Sequence, residues 1–156
     1  MKIKALSLWQ PWASLIAVGA KQYETRSWKT DYRGPLLICA AQGGLSEKAL
    51  KELLIQPKFV KALEPLFDAG VPGDNLQQWI PSWFLPFGKA VAIAQLTACI
   101  PTFQYQTDWI GLEATFGDFS SGRYAWKLEN VRAIEPFPVK GRQGLFKIEI
   151  PEDLAA

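Results

Sequence analysis

Two apolar strands, separated by a helix and a charged segment, constrain the fold more than any other feature of the sequence. Ile3–Leu8 has the character of a short strand, and Leu36–Ala41 has that of a buried one. Between them, apolar residues at helical spacing predict a short helix over residues 12–16. Pro11 suits the first position of that helix, where a missing N–H costs nothing, and Gly19 is placed to end it in a left-handed cap.

The charged segment Lys21–Arg26 follows that helix directly and carries two cations and one carboxylate. In a strand, Glu24 and Arg26 share one face and Lys21 lies on the other. All three converge on one site only if Lys21 lies in the turn ahead of the strand. Glu24 and Arg26 could then form a partly buried ion pair whose remaining donors point into a cleft. A solvated edge strand with ordinary surface charges explains the same residues, and both interpretations stay open.

Composition limits the functions that the chain can have. The 156 residues fit one domain over residues 1–156, and 49% hydrophobic with 21% charged residues is an ordinary globular balance. A net charge of +2 excludes a strong general attraction for polyanions, and so nucleic-acid binding would be local to a pocket. The absence of histidine removes the commonest general base and every Ser-His or Cys-His nucleophile.

The sequence predicts neither a bound cofactor nor a membrane-spanning segment. Cys39 and Cys99 each lie in an apolar run, and we expect reduced core residues, a disulfide between neighbouring strands being the other interpretation. No spacing of metal ligands is visible, and so we expect no metal and no cofactor. No run reaches the ~18 apolar residues of a membrane span. The amino-terminal segment loosely imitates a signal peptide, but Gln10-Pro11 interrupts it, and we expect a cytoplasmic protein.

The remaining elements alternate between helices and strands. Ser46 is placed to cap a helix, and Pro65 is expected to strain or kink the next one. The predicted helices are Glu47–Ile55, Phe59–Ala69 and a short helix with flanking turns within Thr107–Phe119. The predicted strands are Lys89–Ile100, Arg123–Glu129, Arg132–Pro138 and Gly144–Ile150. These elements predict an α+β domain built around a twisted, mostly antiparallel β-barrel.

A family resemblance rests on the first forty residues. The string GxKxxExR, from Gly19 to Arg26, is preceded by QPWA at residues 10–13 and followed by SW at residues 27–28. This combination resembles the ASCH domain family, and most of all its activating signal cointegrator type. The resemblance is dense over Leu6–Ala41 and weaker at Trp126–Phe146. It implies a small, mostly antiparallel β-barrel of PUA-like type with flanking helices, related to readers of RNA and modified bases.

The resemblance and the residue types together predict a binding cleft around the GxKxxExR motif. Planar aromatic rings stack on a single unstacked base, and a few fixed polar groups read its edge. The candidate ligand is RNA or a nucleotide with a modified base. The candidate binding residues are Trp9, Gln10, Trp12, Lys21, Glu24, Arg26, Trp28, Arg33, Trp126, Lys140 and Arg142.

Two other functional classes remain open. Some bacterial members of the family resemble amidohydrolases acting on acetylated cytidine, and others resemble ribonucleases; a hydrolase would use Lys21 and Glu24, although Glu24 stands where the amidohydrolases have a threonine. We expect the carboxylate of Glu24 to keep Lys21 protonated, which favours anion binding over base catalysis. The third class is a protein-interaction module. Its surface would be the exposed part of Gln77–Phe87, an aromatic and proline-rich segment that must either pack under the core or line a cleft.

Overall fold

A mixed β-sheet, curved into a half-barrel, organises the chain. The structure is a computed structural model that describes residues 1–67, 79–105 and 112–155. Within these ranges the sheet has six strands: β1 (Lys2–Leu8), β2 (Tyr23–Arg26), β3 (Gly34–Ala40), β4 (Lys89–Pro101), β5 (Tyr124–Pro138) and β6 (Leu145–Glu149). Their order in space is β2-β5-β4-β3-β1-β6.

The sheet is mostly antiparallel. β1 pairs in parallel with β3, because the chain between them crosses over through the first helix and β2. All the other pairings among the described strands are antiparallel. β2 and β6 form the two ends of the sheet, and so the barrel is open between them. The predicted α+β fold with a mostly antiparallel sheet is thereby confirmed.

Four α-helices flank the sheet in the described part of the chain: α1 (Trp12–Ala17), α2 (Glu47–Leu53), α3 (Pro57–Leu63) and α4 (Leu112–Phe116). Pro11 occupies the N-cap of α1, one position earlier than predicted. Gly19 follows α1 with φ = +83°, as its predicted left-handed cap requires. The hydroxyl of Ser46 accepts a hydrogen bond from the N–H of Ala49 at 3.1 Å, which confirms the predicted cap of α2.

The helix predicted over Phe59–Ala69 is shorter than the sequence pattern suggests. α3 ends at Leu63 and passes into a 3₁₀ turn over Glu64–Leu66, because Pro65 has no N–H to continue the α-helical pattern. Within the described part of Thr107–Phe119, the predicted short helix is α4. Residues 68–69 and 107–111 of these two predictions lie outside the described residues.

The two strands predicted over Arg123–Glu129 and Arg132–Pro138 are one continuous strand, β5. Their separation was wrong because β4 pairs with both halves and holds them in one line. The irregularity between them persists as a local kink: Asn130 has φ = +50°, and the register against β4 shifts nearby.

Hydrophobic side chains fill both faces of the sheet. The inner face packs on α1 through Leu6, Ile38, Leu96 and Trp126, while the outer face is built around a smaller cluster that includes Cys39. Burial raises the pKa of the Cys39 thiol to about 12. Both cysteines of the chain are free thiols.

A third apolar cluster joins the four helices and includes Ile80 and Leu85. The described part of the aromatic segment, residues 79–87, therefore packs under the core in part. It also leaves Trp79 and Trp83 exposed.

Candidate functional site

Lys21 is the most deeply buried charged side chain among the described residues, with 1% of its surface exposed. It lies in the turn between α1 and β2, where its N–H donates to the carbonyl of Leu15 at 3.1 Å. Its Nζ donates to the carbonyl of Phe116 at 2.7 Å. Gly117 follows that carbonyl, and a Cβ there would lie 3.2 Å from the ammonium. The short turn and the glycine thus hold a lysine head group inside the protein.

Glu24 and Arg26 form the ion pair that their spacing suggests. Both lie on β2, with Arg26 Nε 3.2 Å from Glu24 Oε1. Glu24 is 9% exposed and stands opposite Trp126 in the pairing with β5. Arg26 also donates from Nη2 to the carbonyl of Ser7 at 2.8 Å, which ties β2 to the end of β1. The two side chains and Lys21 therefore converge on one site.

Burial dominates the electrostatics of this group. Loss of hydration lowers the pKa of Lys21, although Glu24 and Glu113 act in the opposite direction. Loss of hydration likewise raises the pKa of Glu24, against the effects of Lys21 and Arg26. Glu24 acts on Lys21 in the expected direction, since its carboxylate raises the pKa of the lysine, but burial has the larger effect. Desolvation outweighs the attraction between the two charges, and it brings their proton affinities closer together.

This shift predicts a pH dependence of stability. Glu24 has an ordinary pKa of 4.5 that is raised in the folded state, and so the unfolded state releases its proton first as the pH increases. Glu24 therefore contributes stability below pH 4.5 that is lost as the pH rises through its folded pKa. Lys21 has the opposite effect on stability at higher pH. Because its pKa is lowered in the folded state, the stability of the fold increases with pH up to the ordinary lysine pKa of 10.5.

Urea unfolding from about pH 4 to pH 8 measures the effect. The free energy of unfolding of the wild type should fall relative to that of Glu24→Gln as the pH rises across this range. Parallel profiles for the two proteins would contradict the raised pKa.

A carboxylate far away in sequence completes the group, and sequence reasoning missed it. Glu113, on α4, accepts hydrogen bonds from the backbone N–H groups of Gln22 at 2.6 Å and Tyr23 at 3.3 Å. Burial raises the pKa of Glu113, and the two N–H groups and Lys21 partly offset the change. No local pattern could reveal this residue, because its partners lie about ninety positions earlier in the chain.

Arg123 and Asp118 hold the loop after α4 against β2, and both were also missed as site residues. Arg123 donates from Nε to the carbonyl of Asp118 at 3.0 Å and from Nη2 to the carbonyl of Thr25 at 3.2 Å. The N–H of Asp118 donates to the hydroxyl of Thr25 at 3.2 Å. Thr25 lies inside the charged segment, and it is the one signal in the sequence that could have pointed to this contact.

Three adjoining cavities form a cleft along these residues. The inner cavity, about 340 Å³, is lined by Trp12, Lys21, Glu24, Thr25, Thr115, Phe116, Gly117 and Asp118. The middle cavity, about 420 Å³, shares Trp12, Glu24 and Thr25 with it and adds Trp9, Arg26, Trp28 and Arg123. The outer cavity, about 850 Å³, shares Ser7, Trp9, Arg26 and Trp28 with the middle one and extends to the loop Val139–Gly144. The shared residues place the three spaces next to one another.

Most of the candidate binding residues line the cleft. Those that line it are Trp9, Trp12, Lys21, Glu24, Arg26, Trp28, Lys140 and Arg142. Lys140 and Arg142 come from a loop more than a hundred positions after the motif. The structure brings these side chains together, and their roles toward a ligand remain predictions.

Gln10, Trp126 and Arg33 do not line the cleft. Gln10 is buried and caps α1: its Oε1 accepts from the N–H of Ser14 at 3.0 Å, and its Nε2 donates to the carbonyl of Pro86 at 2.9 Å. Arg33 is exposed and donates to the carbonyls of its own loop. These hydrogen bonds give Gln10 and Arg33 structural roles. They do not test the predicted role of either residue in binding.

Trp126 is fully buried and supports the wall of the cleft from behind. Its ring meets that of Trp28 edge to face, with centroids 4.7 Å apart and an interplanar angle of 89°. Its Nε1 donates to the carbonyl of Trp28 at 3.3 Å. The ring therefore positions Trp28, which does line the cleft.

Neither a metal centre nor a membrane helix is found in the described ranges. In the described part of the chain, no group of three or more histidine, cysteine, aspartate or glutamate side chains is arranged so that it could hold a metal ion. The described helices are all too short and too polar to cross a bilayer.

Comparison with known proteins decides the family. The sequence profile of the ASCH domain matches residues 6–138. The chain belongs to the ASCH domain family. The resemblance that the GxKxxExR motif suggests is thereby confirmed, and the ASCH match contains the whole inner cavity. Lys140 and Arg142 lie just beyond its end.

Relatives and solved structures agree with this assignment. The chain is 27% identical over 145 residues to activating signal cointegrator 1 of Mus musculus and 26% identical to that of Homo sapiens. These alignments cover 92% of the chain but 22% of each relative, so the chain spans about a fifth of their length.

The crystal structure of ASCH from Zymomonas mobilis superposes with a TM-score of 0.54 at 14% identity, covering 94% of this chain and 87% of that one. Structures of two mutants of that protein give TM-scores of 0.52 and 0.53. At this identity the likeness shows a common fold.

Proposed function

We propose that the protein binds nucleic acid, RNA or a nucleotide with a modified base, by taking one unstacked base into the cleft. The observation that carries the proposal is the group formed by the buried Lys21 and Glu24 and the half-buried Arg26, at the floor of a cleft with tryptophan walls. Buried charges are costly, and a fold that keeps two of them beside an open cavity is typical of a functional site. Membership of the ASCH family, with its PUA-like fold, supports the same ligand class.

The chemistry of the cleft suits a base better than a whole duplex. Trp9, which is 53% exposed, and the half-buried Trp12 and Trp28 offer ring faces for stacking. Lys21 supplies a donor and Glu24 an acceptor or, when protonated, a donor, which are the groups that read the edge of a base. With a net charge of +2, the protein has little general attraction for a duplex backbone.

A matched pair of tryptophan variants tests this proposal. Fluorescence anisotropy of labelled hexanucleotides, at a stated salt concentration, measures affinity for RNA and DNA single strands. Trp9→Ala should weaken binding roughly tenfold, since stacking contributes about 1–3 kcal/mol per base. Trp79→Ala is the control, because Trp79 is equally exposed, at 55%, but lies outside the cleft.

Competition with unlabelled modified nucleosides then ranks the bases. If Trp9→Ala and Trp79→Ala lost the same affinity, stacking in the cleft would not explain the binding. Absence of binding to every single strand and nucleoside would overturn the proposed function.

A hydrolase is the second candidate, and one observation favours it. Burial raises the pKa of Glu24 and lowers that of Lys21, and burial of this kind is how enzymes tune a glutamate or a lysine for acid–base catalysis. Incubating the same RNA and acetylated cytidine samples with the protein and analysing the products tests for turnover.

A protein-interaction role is supported by a different surface. Trp79 and Trp83 are large, exposed aromatic side chains beside the helices, away from the cleft. Similarity to activating signal cointegrator 1 points in the same direction. A cytoplasmic location remains a prediction from the sequence.

A further inference from the structure

We propose that the ligand is a phosphate-bearing nucleotide strand rather than a free base or nucleoside, and that it lies in the cleft in one direction. Its base occupies the inner and middle cavities, between Lys21 and the rings of Trp9, Trp12 and Trp28, and its phosphate lies in the outer cavity against the loop Val139–Gly144. This inference rests on the proposed function and adds the chemical class and the orientation of the ligand.

The two ends of the cleft carry opposite electrostatic character. In the inner cavity, the single cation Lys21 is accompanied by the carboxylates Glu24 and Asp118. In the outer cavity, the charged side chains are Arg26, Lys140 and Arg142, and none of the described residues that line it carries a carboxylate. An anionic group is therefore attracted to the outer end, while the inner end suits a neutral group with hydrogen-bonding edges.

The loop that forms the outer wall is built for close approach. Val139 anchors it, with its side chain buried and its N–H donating to the carbonyl of Gly88 at 3.0 Å. Gly141 packs against β1 so closely that a Cβ would lie 2.7 Å from the hydroxyl oxygen of Ser7. Glycine at this point keeps the loop against the cleft floor, with Lys140 and Arg142 on either side of it.

One unpartnered polar atom marks the junction of the middle and outer cavities. Among the described residues, the buried Ser7 Oγ makes no hydrogen bond, whereas Arg26 Nε lies 3.2 Å from Glu24 Oε1. Both residues line both cavities. Buried polar groups in native proteins almost always have a partner, and a phosphate or its hydration water at this junction would supply one.

The dimensions of the cleft favour more than a nucleoside. The inner cavity, at about 340 Å³, is at the lower end of the range for small-ligand sites, roughly 300–1,000 Å³. The outer cavity, at about 850 Å³, is far larger than one phosphate needs. The space is therefore sufficient for the sugar–phosphate backbone to continue past the bound base.

A charge-matched pair of double variants tests the orientation. Lys140→Gln/Arg142→Gln removes two cations from the outer cavity, and Lys48→Gln/Lys58→Gln removes two exposed cations from α2 and α3. Both proteins have the same net charge, and so any difference between them is local. The probes are the common ribonucleosides, their 5′- and 3′-monophosphates and labelled RNA hexanucleotides.

For the wild type we expect monophosphates and hexanucleotides to bind at least tenfold more tightly than nucleosides. The outer-cavity variant should lose roughly tenfold in affinity for the phosphate-bearing probes and nothing for nucleosides. The slope of log affinity against log salt should shrink by about 0.7 for each lost phosphate contact. The control variant should match the wild type in all three measurements.

The outcomes separate the two proposals. Nucleosides and nucleotides that bind equally well, with no effect of the outer-cavity variant, would overturn the orientation while leaving base binding intact. Equal losses in both double variants would overturn it too, since the effect would then be one of net charge. Failure of every probe to bind would overturn the proposed function itself.

Discussion

Replacing Glu24 with alanine is expected to lower the free energy of unfolding by about 3 kcal/mol. The carboxylate is ion-paired with Arg26 at 3.2 Å and is attracted to Lys21, and both Glu24 and Lys21 are buried. Its removal leaves the positive charges close together without the group that compensates them. Removing one partner of a buried ion pair lowers the free energy of unfolding by more than the intact pair contributes to it. The reason is that the desolvation of the remaining charge is no longer offset.

Urea unfolding at neutral pH measures this loss. Glu47→Ala is the matched control, because Glu47 forms an exposed ion pair with Lys51 at 3.4 Å, and its loss should change stability by less than about 1 kcal/mol. Lys21→Met/Glu24→Gln, which removes both charges and keeps their volume, should recover much of the stability. If Glu24→Ala proves as stable as the control, the group is sufficiently hydrated to need no compensation.

Replacing Lys21 with methionine is expected to have the largest effect on function. The unbranched side chain keeps the length of the lysine stem, and Glu24 keeps its ion pair with Arg26, so that the fold should survive. The lost group is a charged donor at the end of the inner cavity. Because a hydrogen bond to a charged group contributes about 1.5–3 kcal/mol, the affinity for single strands should fall by about 10- to 150-fold.

The same variant separates the three functional classes. A binding protein loses affinity, a hydrolase that uses Lys21 loses all turnover, and a protein-interaction module keeps its partner. Circular dichroism and urea unfolding establish that Lys21→Met is folded, and Lys61→Met, on the exposed side of α3, controls for the added methionine. A folded Lys21→Met protein with wild-type affinity would place the base elsewhere in the cleft or outside it.

Much of the local structure could be predicted because its causes are local. Gly19 ends α1 because glycine tolerates a positive φ, and Ser46 caps α2 because its hydroxyl reaches a free N–H. The spacing within six residues lets Lys21, Glu24 and Arg26 converge only if Lys21 lies in the turn, and the structure places it there.

Contacts between distant elements could not be predicted in this way. β5 is one strand because β4 holds both halves in line, and Glu113 meets the motif because α4 packs beside it. Neither contact leaves a pattern within its own segment.

The sequence by itself predicted the mostly antiparallel α+β fold, because periodicity and turn chemistry act over a few residues, and its motif indicated the family by resemblance. It allows the ion pair of the motif without deciding it. Only the tertiary structure decided which residues share the cleft: it brought Lys140 and Arg142 to the motif and turned Gln10 and Trp126 into supports. It also decided the proton affinities of Lys21 and Glu24. Desolvation depends on everything that packs around a charge, and no short stretch of sequence contains that information.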